Sequence, residues 1–156
     1  MKEKFSQEEW ELLKLLPFQV FYLVAGADGK IDQEEIGQLQ KDLRDAPFYK
    51  DALHKELSID ILSSDIKALI REAGDITKLA ERTSQIKALL KQKLTPEEYQ
   101  KFLGSMFMNG VKVARASGGG VLGLGDKVSA EEKRALAAFA ATFELDLANL
   151  SKLFEQ

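Results

Sequence analysis

The chain has 156 residues, 45% hydrophobic and 30% charged, a balance that allows a buried core and excludes a disordered chain. With 25 acidic and 22 basic residues the net charge is −3, so the sequence lacks the positive field that generic nucleic-acid binding requires. There is no cysteine and only 1 histidine, which excludes disulfides, thiolate chemistry and a multi-histidine metal site within one chain; any metal would be held by oxygen ligands, as Ca²⁺ and Mg²⁺ are.

The segment from Met1 to Ser6 lacks the apolar core of a signal peptide. The apolar run from Leu12 to Ala27 is interrupted by Lys14, Pro17 and Gln19, too short and too broken to span a bilayer. The expectation is a cytoplasmic chain with no membrane insertion.

Helix signals recur from there on, and strand signals are almost absent. Ser6 with Glu9 forms a capping box that opens a helix over about 7–16. Pro17 is expected to break or kink it. Phe18 to Ala25 is apolar nearly all round, the pattern of a helix at the centre of a bundle. Gly26 to Ile31 reads as a turn in which Gly29 supplies a positive φ. Asp32 with Glu35 forms a second capping box, and Ile36, Leu39 and Leu43 share one face of the helix that follows.

After Pro47, residues 48–62 read as one or two short helices with Leu53, Leu57 and Ile61 in phase. A helix from Asp65 to Ala73 ends at Gly74, and Asp75 is a fresh N-cap for a helix carrying Ile76, Leu79, Ile86 and Leu90. Thr95-Pro96-Glu97-Glu98 combines an N-cap, a proline at the first helical position and acids in the first turn, and the helix it opens extends towards Ala116. The glycine-rich run Gly118 to Gly125 follows. Ser129 with Glu132 caps the next helix, whose apolar face is Leu136, Phe139, Ala140 and Phe143, and a short helix near Leu147–Phe154 ends the chain. The fold class is all-α: one domain over 1–156, a bundle of about seven to nine helices.

Two segments share a pattern. Lys30-Ile31-Asp32-Gln33-Glu34-Glu35 and Lys127-Val128-Ser129-Ala130-Glu131-Glu132 each read as lysine, β-branched residue, N-cap, one residue, then two glutamates. Asp28-Gly29 precedes the first and Gly125-Asp126 the second, and each unit follows an apolar helix. One reading is two ordinary capped helix starts. The other is a duplicated helix–acidic turn–helix unit around a pseudo-twofold axis.

The stretch Ala25 to Glu35 resembles the hallmark segment of TerB-like domains, a tellurite-resistance family. Gly125 to Glu132, followed by Leu136 and Phe139, resembles the second half of that family's pattern. The likeness covers about 12 residues in each half; between about 45 and 95 it rests on helical character alone. It implies an all-α module associated with tellurite resistance and stress responses, with acidic residues proposed to bind divalent metal and no firmly implied enzymatic activity. Asp28, Asp32 and Glu35 match the first motif, and Asp126 and Glu132 match the second more loosely. The second turn is lengthened by glycines and carries Ser129 where the first has Asp32, a departure from twofold symmetry.

The first segment also matches half of an EF-hand loop: with Gly29 at position 6, Asp28 falls at 5, Ile31 at 8, Asp32 at 9 and Glu35 at 12, but Val24 and Gly26 occupy positions 1 and 3 without a side-chain oxygen. A complete EF-hand is excluded. What remains is either a weak partial site at about 10⁻⁴ to 10⁻³ M, or a turn and two caps whose acids complement the helix dipole.

Other motifs carry less. Gly118 to Gly123 is a formal GxGxxG, but a helix precedes it where a dinucleotide fold needs a strand, and Asp126 intrudes on any P-loop reading. His54, among Asp51, Lys55 and Glu56, is expected to be exposed, and Met106, Phe107 and Met108 to be core. The expected function is a non-enzymatic module whose acidic turns take Ca²⁺ or Mg²⁺ weakly at Asp28, Asp32, Glu35, Asp126 and Glu132. The alternative is a helical scaffold that binds another protein without metal.

Overall fold

Local signals start most of the helices in the computed structural model, which describes residues 1–27, 29, 31, 33–117 and 128–149. Among these residues there are eight α-helices: α1 (Gln7–Leu13), α2 (Leu16–Ala25), α3 (Gln33–Arg44), α4 (Ala52–Leu62), α5 (Ile66–Ala73), α6 (Leu79–Lys93), α7 (Pro96–Ser117) and α8 (Ala130–Thr142). Short 3₁₀ turns occur at Lys2–Lys4, Ala46–Phe48, Ile76–Lys78 and Leu147–Asn149.

The capping box of α1 is formed as the sequence predicts: the Ser6 amide donates to Glu9 Oε2 at 2.7 Å and the Glu9 amide to Ser6 Oγ at 3.2 Å. Thr95 and Glu98 form the same pair at the start of α7, at 2.8 and 3.2 Å. Asp51, Asp65 and Asp75 each accept a backbone amide at the head of the element they open. Each such cap removes one of the orphan donors that a helix start leaves unpaired.

Two local expectations need correction. The break expected at Pro17 is present but falls earlier, at Lys14–Leu15, and Pro17 itself lies in the first turn of α2, where its missing N–H costs no hydrogen bond. Ile76 is not on the buried face of a helix. It sits in the 3₁₀ turn before α6 with 81% of its surface exposed, because Asp75 turns the chain by accepting from the Thr77 amide and hydroxyl.

α2 is the central element, as its all-round apolar sequence predicts. It packs against α5, α7 and α8, while α3 packs against α7 and α4. The main core joins Trp10, Leu16 and Phe18 to Leu57, Ile61, Leu90, Phe102 and Phe139. A smaller cluster joins Phe21, Val24 and Ala25 of α2 to Val113 and Ala114 of α7 and Leu136 of α8. Beyond α8, Tyr99 donates to the Phe143 carbonyl at 2.8 Å, and Glu144, at φ 54°, turns its carboxylate to Lys87 and Lys91. Those two ammonium groups hold the Glu144 carboxyl down at about 2. No described helix is long and apolar enough to cross a membrane.

Gly110 sets the closeness of α2, α7 and α8. A Cβ at this position would lie 3.0 Å from Leu136 Cδ2 and 3.2 Å from Val20 Cγ1. Alanine would gain about 1 kcal/mol of helix propensity, but overpacking of this kind costs about 1–3 kcal/mol. Gly110→Ala is therefore expected to destabilise the fold by about 1 kcal/mol in urea denaturation. In a Leu136→Ala background the same change should cost less; equal costs in the two backgrounds would show that the close approach does not govern this position.

Candidate functional site at the two acidic helix starts

Five carboxylates define the site expected from the sequence. Asp28, Asp32 and Asp126 lie outside the described residues. Glu35, in the first turn of α3, is 2% exposed, and Glu132, in the first turn of α8, is 4% exposed. Glu132 belongs to a complete capping box: the Ser129 amide donates to its Oε2 at 2.7 Å and its own amide donates to Ser129 Oγ at 3.1 Å. The cap reading is therefore correct for this residue. At Gly29, φ is 83°, the left-handed turn conformation predicted for it.

Geometry relates the two junctions. Ile36, next to Glu35, and Val128, next to Ser129, both pack against the same small cluster of Phe21, Val24, Ala25, Val113, Ala114 and Leu136. Both acid-bearing helix starts are thus anchored on one patch of core, where α2 and α7 lie side by side. Val24 is fully buried in that cluster, so position 1 of the EF-hand alignment is a core residue and cannot be a ligand. Among the described residues, no group of three or more His, Asp or Glu side chains is close enough to hold a metal ion. A cation at these junctions would need carboxylates from Asp28, Asp32 and Asp126.

The structure also contains a buried polar network that the sequence reading did not anticipate. His54 is 1% exposed, not the exposed helix residue expected from its charged neighbours. The face of α4 that carries Leu53, Leu57 and Ile61 also carries His54 and Ser58, and all five side chains are buried. The imidazole Nδ1 is 2.5 Å from Ser105 Oγ, and Nε2 is 3.2 Å from Asn109 Nδ2. The ring lies against Tyr49, with centroids 4.2 Å apart, and meets the edge of Phe102.

Asn109 Nδ2 also donates to the Tyr49 hydroxyl at 3.1 Å, and that hydroxyl donates to the Asp42 carbonyl at 2.5 Å. The Asp42 carboxylate accepts from Gln38 at 2.8 Å and lies 3.5 Å from Lys112 Nζ. Lys112, which can only donate, also reaches Asn109 Oδ1 at 3.4 Å, which fixes the amide with its NH₂ group towards the histidine. His54 Nε2 must then accept, and Nδ1–H donates to Ser105. Burial holds the imidazole pKa down at about 3, and the nearby Lys112 adds to the effect. Burial likewise pushes the Asp42 carboxyl up, against the pull of Lys112.

A nucleophile–base pair is one chemical reading of Ser105 beside His54, but the imidazole is enclosed and Ser105 does not line the small cavity of 20 Å³ beside His54 and Asn109. The arrangement fits a structural polar core joining α3, α4 and α7. A signal for it exists in the sequence: Ser105 and Asn109, four residues apart, fall on the helix face of Phe102 and Met106 and so carry polar groups inward.

Comparisons with protein-family models, with curated proteins and with solved structures give no match.

Proposed function

We propose that this chain is a non-enzymatic, TerB-like module of the stress and tellurite-resistance type, taking a divalent cation weakly at its two acidic helix starts. The observation that carries the reading is the anchoring of both starts, through Ile36 and Val128, on the same cluster between α2 and α7. In this reading α2–α3 and α7–α8 are two copies of one helix–acidic turn–helix unit. The reciprocal packing of α3 on α7 and of α8 on α2 supports that pairing. Glu132 closes the cap of α8 from a buried position, Glu35 is likewise buried in the first turn of α3, and in this reading Asp28, Asp32 and Asp126 supply the further carboxylates. Cations are favoured because carboxylates gathered at two junctions repel one another, and a hard cation with oxygen ligands relieves that repulsion.

Thermal and urea unfolding with and without 10 mM CaCl₂ or MgCl₂ tests this directly. For a site of about 0.1–1 mM affinity, 10 mM ion should stabilise the fold by about 1–3 kcal/mol. Asp28→Asn combined with Asp126→Asn should abolish the gain while leaving the ion-free stability within about 0.5 kcal/mol. Unchanged stability at 10 mM of either ion, with a flat calorimetric titration, would refute the cation reading. The second reading is a helical scaffold that binds a protein partner without metal; it calls for a contiguous exposed apolar patch of several hundred Å².

A further inference from the structure

The small cavity of 20 Å³ beside His54 lies where α2, α3, α4 and α7 meet, between the apolar side chains of Val20 and Met106 and the polar ones of Asp42, His54, Ser58 and Asn109. Asp42, His54 and Ser58 are 3%, 1% and 1% exposed, so bulk solvent does not satisfy their polar atoms. His54 and Asn109 are already engaged, the one through both ring nitrogens and the other through both ends of its amide. Two polar atoms of the lining residues are not. Gln38 and Lys112 both approach Asp42 Oδ1, and no described residue donates a hydrogen bond to Oδ2. The Ser58 hydroxyl likewise forms no hydrogen bond with a described residue. Buried polar groups left unpaired are unfavourable, and native structures retain few of them.

We propose that this cavity is a binding site for one water molecule, which accepts from the Ser58 hydroxyl and donates to Asp42 Oδ2. Size sets the first limit: about 10–15 Å³ of such space admits one water, so 20 Å³ has room for a single water and for no larger ligand. Hydrogen bonding sets the second, because the walls offer one donor and one acceptor, and water answers both. Charge sets the third. Lys112 Nζ, 3.5 Å from the Asp42 carboxylate, already supplies its counter-charge. A divalent cation would need about six oxygen ligands, which these walls lack, and an anion would face the carboxylate. Bound here, the water joins Asp42 of α3 to Ser58 of α4 and extends the polar core built around His54.

The test uses the whole chain in two measurements, ordered solvent in crystals and ¹⁷O relaxation dispersion of water in solution. Parent crystals should show one water about 3 Å from both Ser58 Oγ and Asp42 Oδ2. Ser58→Val replaces the hydroxyl with a methyl group and adds a second one, which fills the cavity. That variant should lose the water from its crystals, and its dispersion amplitude should fall by the contribution of one long-lived water. A dry cavity in the parent, a cation in it, or a direct hydrogen bond between Ser58 and Asp42 would overturn the proposal. So would a dispersion amplitude left unchanged by Ser58→Val. Should Ser58→Val not fold, the density in the parent decides alone.

Discussion

Replacing Arg82 with alanine is expected to lower the unfolding free energy by about 3–5 kcal/mol, a loss on the scale of breaking a buried charge interaction. Arg82 is in the second turn of α6 and is 5% exposed. Its guanidinium donates to the Glu72 carbonyl through Nη1, and through Nη2 to the carbonyls of Ala73 at 3.4 Å and Asp75 at 2.6 Å. These oxygens lie at the C-terminal end of α5 and in the turn beyond it. There the last carbonyls of a helix lack intrahelical partners and the dipole is negative. One planar fork therefore neutralises a helix end and ties the α5–α6 connection to the core.

Arg82→Lys separates charge from geometry. Lysine keeps the positive charge but concentrates it on one nitrogen and cannot span three carbonyls in a fork. Its expected cost is about 1–2 kcal/mol, well short of alanine. Urea denaturation of both variants provides the measurement. If alanine costs under about 0.5 kcal/mol, or lysine costs as much as alanine, the guanidinium does not cap α5 in this way.

The parts of the fold that were legible in the sequence are those governed by neighbours within four residues. The pairs Ser6–Glu9, Thr95–Glu98 and Ser129–Glu132 each mark a helix start, because the capping partners are three positions apart. The all-round apolar run of α2 announced its central place for a similar reason, since burial follows hydrophobicity over a single helix. Arg82 escaped notice, and His54 was expected to be exposed, because their partners are not encoded nearby as side-chain patterns. Arg82 bonds backbone carbonyls, which any residue supplies. His54 depends on Ser105 and Asn109, more than 50 positions along the chain. Ile76 was misplaced because an apolar residue after an aspartate N-cap reads as the start of a buried face, yet the Asp75–Thr77 turn directs it outward. Of the acidic site, the sequence identified the residue types and the glycine turn. It did not reveal that Glu35 and Glu132 would be withdrawn from solvent, since that depends on α3 and α8 packing against helices from the opposite half.

Acidification from pH 7 to pH 5 is expected to cost the fold about 2 kcal/mol through His54 alone. Its folded pKa is lowered from 6.5 to about 3. Below 6.5 the unfolded chain takes up a proton that the folded chain refuses, so the stabilisation is complete above that value and is lost as pH falls. The slope approaches about 1.4 kcal/mol per pH unit. Geometry agrees with the sign: protonation would set an Nε2–H against the Asn109 amide hydrogens, near the Lys112 ammonium and in the first turn of α4, where the dipole is positive. Asp42 and Asp51, both pushed up by burial, act in the opposite direction and offset part of this loss wherever they titrate. The carboxylates held low by hydrogen bonds or cations, such as Asp75 and Glu98, release their stabilisation only in the carboxylate range. The part of the slope between pH 7 and pH 5 that disappears with the imidazole is therefore the part due to the chain's single histidine. His54→Gln should flatten the pH dependence there, whatever it does to stability at pH 7. A parent protein equally stable at pH 7 and pH 5, or a variant that keeps the full slope, would show that the buried imidazole is not what links protonation to unfolding.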